Sequence, residues 1–412
     1  VVNPALKQPA VRRLLAVALL AELAYASLNL STMPVYLRDA RGFGEAAVGI
    51  VLGVFLGTEA LAKLVTGRWA DRYGTRRLIV FGPLLSVVSV ILTLAAPGAN
   101  GAAWETVLQG SFRVLDGIGA AMVWPALFAS IAGATNERDR PTALSLLNAC
   151  YLIGIALAFP LAGWINDQSR QSSAGLGLAA ILFIAASLLA LGLRDHRPHS
   201  QSTGLHLSRV SPWLLATGFL AFAGIGFPSF IAKLFPMDEF RMSEGQVGLL
   251  VLPTAILLAV LSAPAGRLAT RWGARTTVFA GLVLCAVGTG MIGVAAIRPE
   301  SRTVATVMIA APLVGVGFLI ALPAWYAYVG GAAGSATRLG AVMAAQGIGA
   351  IAAAPLGAAM YEKLQPFGVA SRLGPSFAHW SPFLAASGCL AAAAIVFLAA
   401  SGPAREPSDG GR

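Results

Sequence analysis

Six ionisable residues interrupt long apolar stretches of this 412-residue chain: Glu22, Glu59, Lys63, Arg113, Asp116 and Lys233. A charge held in hydrocarbon costs about 3 kcal/mol or more, so each one marks a candidate site. Glu22 lies about ten residues beyond Arg12 and Arg13, which at 1.5 Å per residue places it about 15 Å deep. A carboxylate removed from water there either takes up a proton or pairs with a cation, and a purely structural pairing is the alternative. Asn29, seven residues on, falls on the same helix face. Arg113 and Asp116 stand three residues apart. An arginine keeps its proton, so Arg113 either holds a network around Asp116 or forms with it an intrahelical ion pair that only neutralises both. Glu59 and Lys63, one turn apart, fit a structural pair. Lys233, between Pro228 and Pro236, is expected to snorkel to the outer interface with no transport role.

The elements that position these residues follow from composition. Hydrophobic residues make up 57% of the chain and charged residues 11%, against roughly a quarter charged in soluble proteins; the mean hydropathy is +0.75. Apolar stretches long enough to cross a bilayer recur at 14–37, 46–66, 78–97, 106–132, 143–165, 175–193, 213–235, 246–265, 276–297, 304–329, 339–360 and 381–401, which predicts twelve spanning helices. The first stretch is too long for a signal-peptide core and reads as a retained helix. The 46 glycines and 23 prolines suit helices packed in lipid, where neighbours re-satisfy freed backbone groups.

The net charge of +11 invites a nucleic-acid partner, but its placement explains it otherwise. Of 29 Lys and Arg, 18 fall on the side shared by both termini, eight on the opposite side and three (Lys63, Arg113, Lys233) within spans. That bias orients a membrane protein with both termini cytoplasmic and needs no polyanion. Cys150, Cys285 and Cys389 sit far apart inside spans, without metal-ligand spacing, so no disulfide, metal or cofactor is expected.

The chain repeats itself. GRWADRYGTRR from Gly67 echoes GRLATRWGART from Gly266 at an offset of 199; Gly117, Gly119 and Pro125 echo Gly315, Gly317 and Pro323 at 198; Gly154, Pro160 and Leu161 echo Gly349, Pro355 and Leu356 at 195. The longest polar stretch, Arg194 to Pro212, lies between the sixth and seventh spans. Residues 1–193 and 213–412 are therefore expected to form two six-helix bundles, with 194–212 as a cytoplasmic tether whose histidines (His196, His199, His206) lack metal-binding partners.

The segment Gly67, Asp71, Arg72, Gly74, Arg76, Arg77 resembles the signature between spans 2 and 3 of the major facilitator superfamily, and the twelve spans, the 6 + 6 division and the degenerate second copy extend the resemblance over the whole chain. The fold implied is all-α and integral to the membrane, two pseudo-symmetric bundles that work by alternating access. In that family the signature Asp faces the N-terminus of span 11 and the arginines pair with nearby acids. Carried over, Asp71 meets span 11 near Leu339, and Arg72 or Arg76 meets Glu137 or Asp139, latching the halves on the cytoplasmic side; simple positive-inside anchoring is the alternative. The second copy has Thr270 in place of Asp71, so the two halves are expected to contribute unequally. Arg113, Gly117 and Gly119 are similar to a span 4 motif associated with coupling in proton-driven exporters. Trp124, Tyr151, Trp325 and Tyr326 lie in spans that line the family's cavity, where aromatic faces hold lipophilic or cationic cargo or serve ordinary packing. Glu59 joins them as a possible lining residue. In span 5, Phe159 replaces the glycine that precedes proline in the drug/proton antiporter branch, a departure from its pattern.

These features lead to an expected function: proton-coupled export of a small lipophilic or cationic compound, with Glu22, Asn29, Arg113 and Asp116 coupling protons to substrate. The alternative is an importer or facilitator of a sugar, organic acid or other metabolite. A membrane-embedded enzyme or receptor finds no nucleophile–base pair or soluble domain, and ATP-driven pumping finds no phosphate-binding loop. The expected setting is a monomer in the cell membrane, with small-molecule substrate, protons and lipid as partners and no nucleic acid.

Overall fold

A computed structural model describes residues 8–98, 102–136, 140–195, 211–330 and 336–400. Twelve long helices run in order: α1 (Pro9–Ala40), α2 (Glu45–Tyr73), α3 (Thr75–Ala95), α4 (Ala103–Ala134), α5 (Arg140–Ser169), α6 (Ala174–Ala190), α7 (Pro212–Ser229), α8 (Glu244–Trp272), α9 (Ala274–Val294), α10 (Val304–Gly330), α11 (Ala336–Lys363) and α12 (Phe377–Ala400). Eleven are long and apolar enough to cross a membrane; α6, with 17 residues, is shorter and equally apolar in character. Short helices Leu234–Phe240 and Gln365–Ala370 follow α7 and α11.

Large apolar side chains such as Phe81, Val88, Ile91 and Ile181 stand exposed on the outside. In water so much exposed apolar surface would be an aggregation liability, whereas against lipid it is the matching solvent.

The packing obeys an approximate two-fold symmetry. In the first half α4 packs on α2 and α3, while α1 packs on α5 and α6; in the second α10 packs on α8 and α9, while α7 packs on α11 and α12. The halves meet where α5 lies on α8 and α2 lies on α11. The repeated glycines explain the closeness of these crossings. A Cβ added to Gly119 of α4 would sit 2.5 Å from the Gly82 carbonyl of α3, and one added to Gly317 of α10 would sit 2.6 Å from the Gly281 carbonyl of α9. Such contacts bring helix backbones together where no larger residue fits. Gly119→Val is accordingly expected to destabilise the fold by about 1–3 kcal/mol through overpacking. The melting temperature of the detergent-solubilised protein checks this, against Gly388→Val, where nothing lies within 4 Å.

The signature segment is not the loop expected after a span ending at 66. Nothing in Gly67–Tyr73 breaks a helix, so α2 continues to Tyr73 and the break is the single residue Gly74, at φ 85°. Gly273 repeats it between α8 and α9 at φ 79°, a left-handed conformation that only glycine adopts without strain. A second departure occurs in α1, where Ser27–Thr32 and Tyr36–Ala40 wind as π-helix. Such turns are rare and gather at functional sites.

Candidate functional site

A cavity of about 140 Å³ opens at the middle of the first half, walled by α1, α2, α4 and α5 and closed by Phe230 beyond α7. Glu22 lies in its wall at 5% exposure. Gly154 of α5 makes room for it, because a Cβ there would sit 2.8 Å from the Glu22 Cβ. Tyr25, Phe55, Trp124 and Tyr151 supply the aromatic surface, with Trp124 and Tyr151 edge to face at 5.0 Å. Glu59 lines the same cavity and pairs with Lys63 at 2.7 Å. The lining therefore carries two carboxylates, Glu22 and Glu59, beside one ammonium.

Next to the cavity is a buried polar core. Arg113 and Asp116 are both fully buried and pair at 3.3 Å. Arg113 Nη2 donates to Ser89 Oγ at 2.7 Å and Thr93 Oγ1 at 3.0 Å. Asn29 Nδ2 donates to Asp116 Oδ2 at 2.8 Å. Since Asn29 also lines the cavity, it joins the two regions. Asn29 Oδ1, Arg113 Nε and Asp116 Oδ1 have no partner among the described residues. Unsatisfied polar atoms at such depth are expensive, and their concentration here sets this core apart from ordinary packing.

The structure thus brings Glu22, Asn29, Glu59, Trp124 and Tyr151 to one cavity and sets Arg113 and Asp116 next to it through Asn29. It does not bring Trp325 or Tyr326 there. Trp325 lines a separate apolar cavity inside the second half with Phe222, Phe318 and Gln346, and Tyr326 packs against the same cluster. Span membership predicts which helix is near a cavity but not which face of it turns inward.

In the signature segment, the Arg72 guanidinium lies 5.4 Å from the centre of the Tyr73 ring, and the Arg76 backbone N–H donates to Asp195 Oδ1 at 3.2 Å. Glu137 and Asp139 lie outside the described residues, as do the side chains of Asp71, Thr270 and Leu339, so the expected latch does too.

The end of the bundle away from Gly74 and Gly273 holds polar contacts that the sequence did not reveal. Lys233 does not snorkel. It is fully buried, and its Nζ donates to Glu244 Oε2 at 2.6 Å and across the halves to Ser31 Oγ at 2.8 Å. Helix α7 ends at Ser229, and the bend that follows turns Lys233 into the seam, where Asn166 Nδ2 completes the cluster by donating to Glu244 Oε2 at 2.9 Å. Nearby, Arg38 bonds both Asp238 oxygens at 2.8 and 2.9 Å, and the Tyr361 hydroxyl donates to the same carboxylate. Burial works against the charge of Glu239, but the His379 ring at 2.5 Å and the Trp380 N–H at 2.9 Å outweigh it and hold the carboxyl below its usual range.

Comparison with known proteins matches the Major Facilitator Superfamily profile to residues 14–218 and again to 214–412. The chain belongs to that superfamily. Multidrug resistance protein 1 of Bacillus subtilis is 26% identical over 55% of this chain and 58% of its own length. Tetracycline resistance protein, class B, of Escherichia coli is 26% identical over 62% and 66%, and multidrug resistance protein MdtL of Klebsiella pneumoniae is 30% identical over 38% of each. The matched stretches thus span between about a third and two thirds of these relatives. Among solved structures, one of the proton-dependent oligopeptide transporters superposes with a TM-score of 0.73 at 14% identity, covering 95% of this chain and 97% of the other. The nucleoside transporter NupG superposes at 0.70 and 14%, covering 95% and 99%. At such identity these structures speak for the fold alone. This member of the superfamily is a multi-pass membrane protein whose buried charged core lies in the first half.

Proposed function

We propose that this major facilitator protein exports a lipophilic, monovalent cation in exchange for protons, with Glu22 as the residue that proton and cargo occupy in turn. What carries this proposal is the position of Glu22: 13 residues into the 32-residue helix α1, about 20 Å from its start and near the midplane, in an aromatic-walled cavity with Glu59 and a single ammonium. Those groups leave one carboxylate charge for a cation or a proton to balance. Desolvated aromatic faces add cation–π attraction of about 2 kcal/mol for a favourably placed ring. An organic acid would meet uncompensated negative charge, which disfavours the importer reading for that class of cargo. The names of the relatives, which concern multidrug and tetracycline resistance, point toward export.

In this mechanism Glu22 releases its proton to the cytoplasm when cargo arrives and regains one when the cavity faces outward. Asn29 relays the occupancy of the cavity to Asp116 through its amide, and Arg113 keeps the buried Asp116 charge compensated during the change. The transporter acts as a monomer in the cell membrane with both termini cytoplasmic.

The test is uptake of a fluorescent lipophilic cation by inside-out proteoliposomes with an acidic lumen. Accumulation that vanishes when a protonophore collapses the gradient is the expected result. Gradient-independent equilibration of a sugar or organic acid, with no movement of any cation tried, would overturn the proposal.

A further inference from the structure

The outer seam contains a pair of contacts that the internal repeat relates to one another. Asp167, in the last turn of α5, accepts from the Gly245 backbone N–H of α8 at 2.9 Å and from Ser243 Oγ at 2.7 Å. Glu362, in the last turn of α11, accepts from the Ala46 backbone N–H of α2 at 2.8 Å. Each contact crosses from one half to the other. Asp167 and Glu362 stand 195 positions apart, the offset that also relates Pro160 to Pro355; Ala46 and Gly245 stand 199 apart, the offset that relates Gly67 to Gly266. The two contacts are therefore copies of one device: an acid at the outer end of a fifth helix set on the N-terminus of the second helix of the opposite half.

Local sequence shows why these acids are needed. Helix α2 begins after Gly44, which provides no side-chain cap, and its early N–H groups would otherwise lack an acceptor. A Cβ on Gly44 would sit 3.1 Å from Glu362 Oε2, and one on Gly245 would sit 2.7 Å from Asp167 Oδ2, so glycine admits each carboxylate to the helix end. Helix α8 has its own capping box of Ser243 and Gln246, and Asp167 adds to it at the next N–H. At both ends a full negative charge meets the positive end of a 29-residue helix.

We infer that Asp167 and Glu362 form a pseudo-symmetric outer latch that holds the two halves together at the extracellular end, and that both contacts must break for the cavity to open outward. The buried Lys233–Glu244 pair and the Arg38–Asp238 pair lie in the same seam, so the latch is the backbone-directed part of a wider outer closure. The inference uses alternating access but no assumption about cargo or proton coupling.

The experiment measures the distance between nitroxide labels on Gln171→Cys and Glu300→Cys, exposed positions at the outer ends of opposite halves. The 412-residue chain, with Cys150, Cys285 and Cys389 replaced by alanine, is reconstituted in lipid. Asp167→Asn and Glu362→Gln are each expected to raise the population ratio of longer to shorter distances about fivefold, and about 25-fold together if the two act independently. Ala46→Pro removes the N–H donor while leaving every charge in place, at a helix position that tolerates proline, and is expected to match Glu362→Gln. Asp39→Asn, an acid at the same end whose side chain, among the described residues, bonds Arg38 of its own half, is expected to change nothing. An unaltered distance distribution in the double variant, or an equal shift in Asp39→Asn, would overturn the latch. Neither result would bear on whether Glu22 carries protons, which the vesicle assay reads separately.

Discussion

Glu22→Gln is expected to abolish gradient-driven accumulation of the cation while leaving the protein folded. One proton exchanged for one monovalent cation moves no net charge, so the pH gradient alone drives the exchange. A gradient of two pH units then sustains a concentration ratio of about 100 in the wild type, because each pH unit is worth about 1.4 kcal/mol per proton. Glutamine keeps the shape and the hydrogen-bonding capacity of the side chain but neither binds a proton reversibly nor balances a cation, so the ratio is expected to fall to about one, the value of passive equilibration. Glu22 is the right residue to test because its 5% exposure is to a cavity lined by aromatic rings rather than to a compensating base. A Glu22→Gln protein that still concentrates the probe tenfold or more would remove Glu22 from the exchange. Glu59, paired with Lys63 at 2.7 Å in the same cavity, would then be the next carboxylate to examine.

Arg113→Met is expected to be the most destabilising single change in the buried core. The guanidinium compensates Asp116 and donates to Ser89 and Thr93, and all four side chains are closed to solvent. Removing one partner of a buried ion pair leaves the other charge uncompensated, at a cost of about 3–5 kcal/mol. The outcome would be read as a large fall in melting temperature or as loss of the protein from the membrane fraction. Replacing both members, Arg113→Met with Asp116→Leu, removes the isolated charge, and most of the stability is expected to return. Transport is not expected to return with it, since Asn29 then has no carboxylate to report to. A double variant that is both stable and fully active would reduce the pair to a neutralising contact, the alternative that its three-residue spacing always allowed. Arg113→Met with wild-type stability would show instead that Asp116 is compensated by another route.

The membrane fold was legible because lipid imposes a simple rule. Every spanning segment must satisfy its own backbone and present apolar side chains, so a run of apolar residues announces each helix. The glycine repeats announced the pseudo-symmetry as well, since Gly119 and Gly317 make the same close crossing in their two halves. Boundaries were less legible. The segment Gly67–Tyr73 is charged enough to resemble a loop, yet it is helix up to the positive φ of Gly74.

The site was half legible. Burial cost alone singled out Glu22, Glu59, Arg113 and Asp116, and the three-residue spacing placed the last two together. The link from Asn29 to Asp116 was not available from sequence, because it joins residues 87 positions apart through the π-helical turns of α1. Lys233 was misplaced for a related reason. Its place between Pro228 and Pro236 near the end of the span suggests the interface, whereas the chain bends after Ser229 and turns the ammonium inward to Glu244. Trp325 lies in a span expected to line the cavity but packs its ring inside the second half.

By itself, then, the sequence of this superfamily member determined what each segment must be: which residues cross lipid, how often the pattern repeats, and which buried charges demand an explanation. Only the tertiary structure decided which charges meet. Periodicity along one helix constrains neighbours three or four residues apart, whereas the contacts of Asp167 of α5 with the start of α8 and of Glu362 of α11 with the start of α2 join helix ends, fixed by how two whole bundles lean on each other.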